Sequence, residues 1–230
     1  MIVPSVLPDA ADGSGYRGLV TAPLRPDLAE AHSRARDSLS LAGTWFSARE
    51  RRALATAAIS AMWSGNAEPD VSDALETSVG AARRLASGTP HVDRTWYESI
   101  RDEIGALAFV ELVGLVAVAS AVSSLRRTLG WPDQPLSAAN DDEPSRVAPP
   151  ELAEAKWNWV PVAAPADRTA AVVQALTAVP ATFDQLWSLA DVQYIPDAEM
   201  VDPRWTRGTL TRVEMELIAT RVSFSRECHY

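Results

Sequence analysis

Cys228 is the one cysteine of the 230 residues, and it follows a stretch that carries carboxylates at Glu214, Glu216 and Glu227. A thiol works as a nucleophile or redox group only as thiolate, and an unperturbed cysteine, with a pKa of about 8.5, is mostly protonated at neutral pH. A neighbouring base that takes the proton, or a helix N-terminus that stabilises the anion, shifts that balance. Glu216 stands twelve residues before Cys228. Along one straight helix that is about 18 Å, far beyond hydrogen-bond reach. Chemistry that joins the two needs a break near Ser225–Glu227, with the cysteine opening a second helix that folds back. Two plainer readings stand beside this one: Cys228 as a frayed residue without a role, and Glu216 as a solvated helix charge. Arg221 could hold a carboxylate, though an exposed arginine is the expected state.

The element that must position these groups starts at Thr211. Thr211 and Glu214 have the spacing of a capping box, and Leu210 with Met215 can form the hydrophobic staple beside it. Met215, Ile218, Ala219 and Val222 then recur at helical spacing, which predicts a helix from 211 to the mid-220s.

The run Leu-Thr-Arg-x-Glu-x-Glu-Leu-Ile-Ala-x-Arg-Val-Ser over 210–223, followed by Glu227-Cys228-x-Tyr230, resembles the approach to the redox motif of AhpD-like alkylhydroperoxidases. These belong to the carboxymuconolactone decarboxylase superfamily. The resemblance implies an all-helical fold and the reduction of hydroperoxides, with electrons from a thiol protein or a small thiol. It implies no metal or bound organic cofactor, and a homo-oligomer, commonly a trimer or hexamer. Its catalytic residues here are Cys228, as redox thiol, and Glu216, as the start of a proton relay. His229 falls on a variable place of the motif and Tyr230 on its usual aromatic. The family's second redox residue corresponds to position 231, past the last residue given. The expectation is therefore a chain cut inside its motif and inactive alone, with a selenocysteine codon read as a stop as the leading cause. A decarboxylase-like enzyme of the same superfamily is one rival, against which the Glu-Cys lead-in argues. A non-catalytic helical oligomerisation module is the other.

Placing Phe46–Asn66 over Leu210–Tyr230 aligns Ser47 and Glu50, a second capping box, with Thr211 and Glu214. Leu54-Ala-Thr56 then falls on Ile218-Ala-Thr220, Arg52 on Glu216 and Ser64 on Cys228. The first copy would thus have lost the chemistry. The expected organisation is an N-terminal arm over 1–26, a degenerate AhpD-like repeat over 27–130, a Pro-rich connector over 131–165, and the front of a second repeat over 166–230. Without the rest of that repeat, the Met215–Val222 and Val172–Val179 faces are expected to lack cover.

Composition narrows the function classes. A formal charge of -9 and a pI near 4.9 argue against a nucleic-acid partner, which needs a basic footprint. One cysteine excludes an internal disulfide framework and fits a reducing cytoplasm. Met1–Tyr16 lacks the basic and apolar regions of a secretory signal and reads as a loose arm. Ala106–Leu125 approaches the length of a bilayer span but carries Glu111 near its middle, at a cost of about 3 kcal/mol in lipid. It is read as a buried core helix, with no membrane partner. Glu111 itself is either a buried, hydrogen-bonded carboxylate or an edge charge.

Before that helix, others are predicted from Pro26, from Ser47, over Val71–Ala86 and over His91–Ile104. After it, helices are predicted over Asp167–Val179, over Pro180–Val192 and at the C-terminus. Period-two alternation is nowhere sustained, so the class is all-α. The connector carries Trp157 and Trp159, and bare linkers seldom contain tryptophan, so it is expected to pack across a domain surface. His32 and His91 are expected on the surface.

Overall fold

A computed structural model describes residues 24–63, 72–88, 92–132, 134–147, 151–153, 158–163 and 171–225. The chain is mostly helical, as its periodicity predicts. Helix α1 spans Pro26–Ser38, α2 Ala48–Met62, α3 Glu76–Ser87, α4 Arg94–Ile104 and α5 Ala106–Thr128. A single turn, α6 (Ala171–Gln174), precedes α7 (Pro180–Gln193) and α8 (Arg212–Ser225). Ser47 and Glu50 close both halves of the capping box that starts α2. Asp93 caps α4 through the Trp96 N–H. The third helix is shorter than expected, with a 3-10 turn at Asp73–Leu75 before it. Val71 and His91 lie outside the described residues.

Helix α5 is the centre of the molecule. Leu112, Leu115, Val118 and Ala119 on it are fully buried, and α1, α2, α3, α4 and α7 all pack on it. Each leucine buried in this way contributes about 1.5–3 kcal/mol. Its length and composition would let it cross a membrane; in this fold it is the core helix that its sequence suggested. Close packing sets two of its neighbours. Gly114 faces Thr182 of α7 so tightly that an added Cβ would collide with the threonine methyl. Leu54, Ala57 and Ala58 of α2 close the core from the other side.

Two expectations change. The helix predicted over Asp167–Val179 is, within the described residues, one turn followed by turns. Pro180 fixes the boundary with α7, since a residue before proline is driven from the helical region and Val179 sits at φ -128°, ψ 85°; nothing in the structure explains why the regular helix already stops at Gln174. The connector also contains a two-residue antiparallel ladder, Leu152–Ala153 (β1) with Val162–Ala163 (β2), too short to leave a period in the sequence. Elsewhere the connector packs on the helices as expected. Ser145 and Arg146 donate to the carbonyls of Gly43 and Thr44, and Ala48 donates to Asp142. Trp159 packs against Tyr97 at 6.1 Å; Trp157 lies outside the described residues.

Candidate functional site

Glu216 lies in the second turn of α8, and its carboxylate is held by a neighbouring arginine. Arg212, one turn earlier, donates from Nε to Oε1 at 2.7 Å. Tyr194 lies just past α7; burial first, and its interaction with the Glu216 carboxylate second, push the phenol above its ordinary pKa. Arg212 also donates to the carbonyls of Met200 at 3.0 Å and Asp202 at 3.3 Å, which ties the start of α8 to the loop before it. Arg207 does the same for the end of α7, donating to the carbonyls of Asp191 and Tyr194 at 2.8 and 2.7 Å. These last carbonyls of a helix lack internal partners, and a cation there satisfies them. Arg212 and Glu216 thus form a hydrogen-bonded ion pair at the start of α8, in which the carboxylate is the group able to take up a proton.

The cap of α8 is complete. Thr211 donates to Glu214 Oε2 from its N–H and its hydroxyl, each at 2.8 Å, and the Glu214 N–H returns to the threonine oxygen at 3.3 Å. The two Thr211 bonds hold the Glu214 carboxyl below its usual pKa. Cys228 and the expected break near Ser225–Glu227 fall largely past Ser225, outside the described residues. The structure therefore places one of the two sequence-derived catalytic residues. Arg212 was legible as an i,i+4 partner of Glu216; Tyr194 was not, since only the loop between α7 and α8 brings it there.

A second polar cluster sits inside the protein. Glu111 of α5 is fully buried and Arg51 of α2 is 4% exposed. Arg51 Nη1 donates to Glu111 Oε1 at 2.6 Å, and the N–H groups of Thr44 and Trp45 donate to Oε2 at 3.0 and 2.6 Å. Arg51 Nη2 also reaches Gln185 Oε1 of α7 at 3.2 Å, and Gln185 donates to the Ser38 hydroxyl. Of the two readings of Glu111, the buried and bonded one is correct. Gly43 lies so close that an added Cβ would collide with this carboxylate. His32 is likewise a correction: it is buried, with Nε2 2.9 Å from Gln193 Oε1, and burial pushes its pKa down against the opposing Gln193 bond. Its surface reading failed because α7, distant in sequence, covers α1.

Set against models of protein families, characterised proteins and solved structures, the chain matches none.

Helices α2 and α8 begin at residues that the overlay aligns, Ala48 and Arg212, and each is opened by a closed capping box. Their surroundings differ. Leu54 and Ala58 are fully buried on α2, while the aligned Ile218 and Val222 are 56% and 55% exposed. Helices α3 and α5 cover α2, and no helix packs extensively along α8 among the described residues. Of the predicted stripe only Met215 is buried. The face at Val172–Val179 is mixed: Val172 is exposed, but Leu176, Ala178 and Val179 are buried.

Proposed function

We propose that this chain is a peroxide-reducing thiol oxidoreductase of the AhpD-like type, with Cys228 as its redox residue and Glu216 as its acid–base group. The supporting observation is Glu216 itself: a half-exposed carboxylate, oriented by the Arg212 guanidinium, on the helix that leads to the only cysteine. In the step proposed, Glu216 accepts the thiol proton through intervening groups. The thiolate attacks the outer oxygen of a hydroperoxide, an S–O bond forms and the O–O bond breaks, and the alkoxide takes a proton and leaves as an alcohol. The cysteine is then a sulfenic acid. A thiol reductant condenses with it, releasing water, and a second thiol restores Cys228 as a disulfide leaves.

The tandem arrangement belongs to the same proposal. The equivalent starts of α2 and α8 support it, with Arg52 standing in the first unit where Glu216 stands in the second. The buried Arg51–Glu111 pair then serves as internal support in a unit that carries no redox group. The non-catalytic rival keeps one specific observation in its favour, the uncovered apolar face of α8, which suits association as well as chemistry.

Peroxide consumption in the presence of a dithiol, by the chain extended past Tyr230 to include the motif's second redox residue, separates these readings. Loss of consumption in Cys228→Ser supports the oxidoreductase. Consumption that survives the change favours a cysteine-independent enzyme, and none in either protein favours the oligomerisation module.

A further inference from the structure

Helix α8 turns an apolar stripe away from the body of the protein. Leu210, Val213, Leu217, Thr220 and Phe224 are spaced by three, four, three and four residues, the a and d positions of a coiled-coil seam. All are exposed, Val213, Leu217 and Phe224 at 77%, 70% and 75%. Of the residues that hold α8 to the rest, Met215 lies on its far side, and Arg212 and Glu216 lie toward one flank of the stripe.

We propose that this stripe docks against the same helix of a second copy of the chain, the two helices antiparallel about a two-fold axis. The charges beside the seam argue for this occupant. Glu214 and Arg221 each directly follow a d-type residue, so they line one edge of the stripe. In an antiparallel pair these edge positions face one another. Glu214 of each copy then meets Arg221 of the other, and one contact is made twice, as a self-complementary interface requires. The capping bonds of Glu214 use Oε2 and leave Oε1 for this contact. In the core of the pair, Val213 packs opposite Phe224, and Leu217 opposite Thr220.

The direction follows from how α8 is attached. Its first turn is tied to Met200 and Asp202, so parallel helices would bring both protein bodies to one end. They would also need Glu216 for the flanking pairs, and Glu216 is bonded to Arg212. Antiparallel helices set the bodies at opposite ends. With fourteen residues in α8 the seam is about 21 Å long, below the length of a standard interface, and the dimer is concentration-dependent.

Sedimentation of the chain across the micromolar range tests this. A monomer–dimer equilibrium is expected. Leu217→Glu, at an exposed site where folding is unaffected by circular dichroism, weakens it about tenfold to hundredfold, the transfer free energy of a buried leucine. Cys228→Ser leaves the dimer intact, so this inference and the redox reading fail separately. In that background, Val213→Cys chains mixed with Phe224→Cys chains cross-link on mild oxidation, and neither cross-links alone. A monomer throughout, as when another part of the same chain covers the stripe, overturns the proposal. So does a dimer indifferent to Leu217→Glu, or one in which Val213→Cys chains cross-link to themselves.

Discussion

At the scale of single residues, the ion pair between Arg51 and Glu111 is the most consequential contact in the fold. A buried pair adds little compared with apolar residues of equal volume, but removing one member leaves an uncompensated charge. Glu111→Ala is therefore expected to lower stability by about 3–5 kcal/mol in urea unfolding. It removes the counter-charge of Arg51 and orphans the Thr44 and Trp45 N–H groups together. An undiminished midpoint would show that the cluster contributes nothing. His32 gives a prediction with a sign. Its folded-state pKa lies below the ordinary value of 6.5 because of burial, so the unfolded chain takes up the proton first. Its contribution to stability is complete above the unfolded pKa and falls as pH drops through the window down to the folded pKa. Between about pH 7.5 and 5.5 the protein should lose more stability than His32→Gln does; equal losses would refute it. Neither buried group could be placed from sequence alone. Glu111 sits in an apolar run that only states a conflict, and the partners of His32 and Glu111 arrive from elements 60 or more residues away.

At the scale of elements, local signals carried most of the reading. The boxes at Ser47 and Thr211, the proline at the start of α1 and the stop at Gly130 set helix ends within a residue or two of those observed. They act within four residues, so the chain shows them directly. What failed lay outside those signals. The helix expected up to Val179 is regular only over Ala171–Gln174 among the described residues, and the β1–β2 ladder is held by pairing across the connector. The two caps should also differ in effect. Losing such a hydroxyl costs about 1 kcal/mol. In Ser47→Ala the loss should appear in global unfolding, since α2 is part of the core. In Thr211→Ala it should appear as faster amide exchange confined to α8. Uniform exchange changes in both variants would contradict this division.

At the scale of the whole molecule, α5 and its neighbours form a core from residues far apart in sequence, while α8 stands at its side with its start well anchored and its apolar stripe open. That contrast suits a unit whose first half is structural and whose second half presents a reactive group. The all-helical class was legible from periodicity. The proposed redox role rests on a resemblance over residues 210–230, and its cysteine lies outside the described residues. The account turns on whether Glu216 acts on Cys228, and the rate of sulfenic acid formation at Cys228 on adding hydroperoxide tests that most directly. The expected result is a rate well above that of a free thiol at neutral pH, reduced about a hundredfold or more in Glu216→Gln, the usual worth of a positioned base. A rate equal to that of free cysteine, or one that Glu216→Gln leaves unchanged, would contradict it.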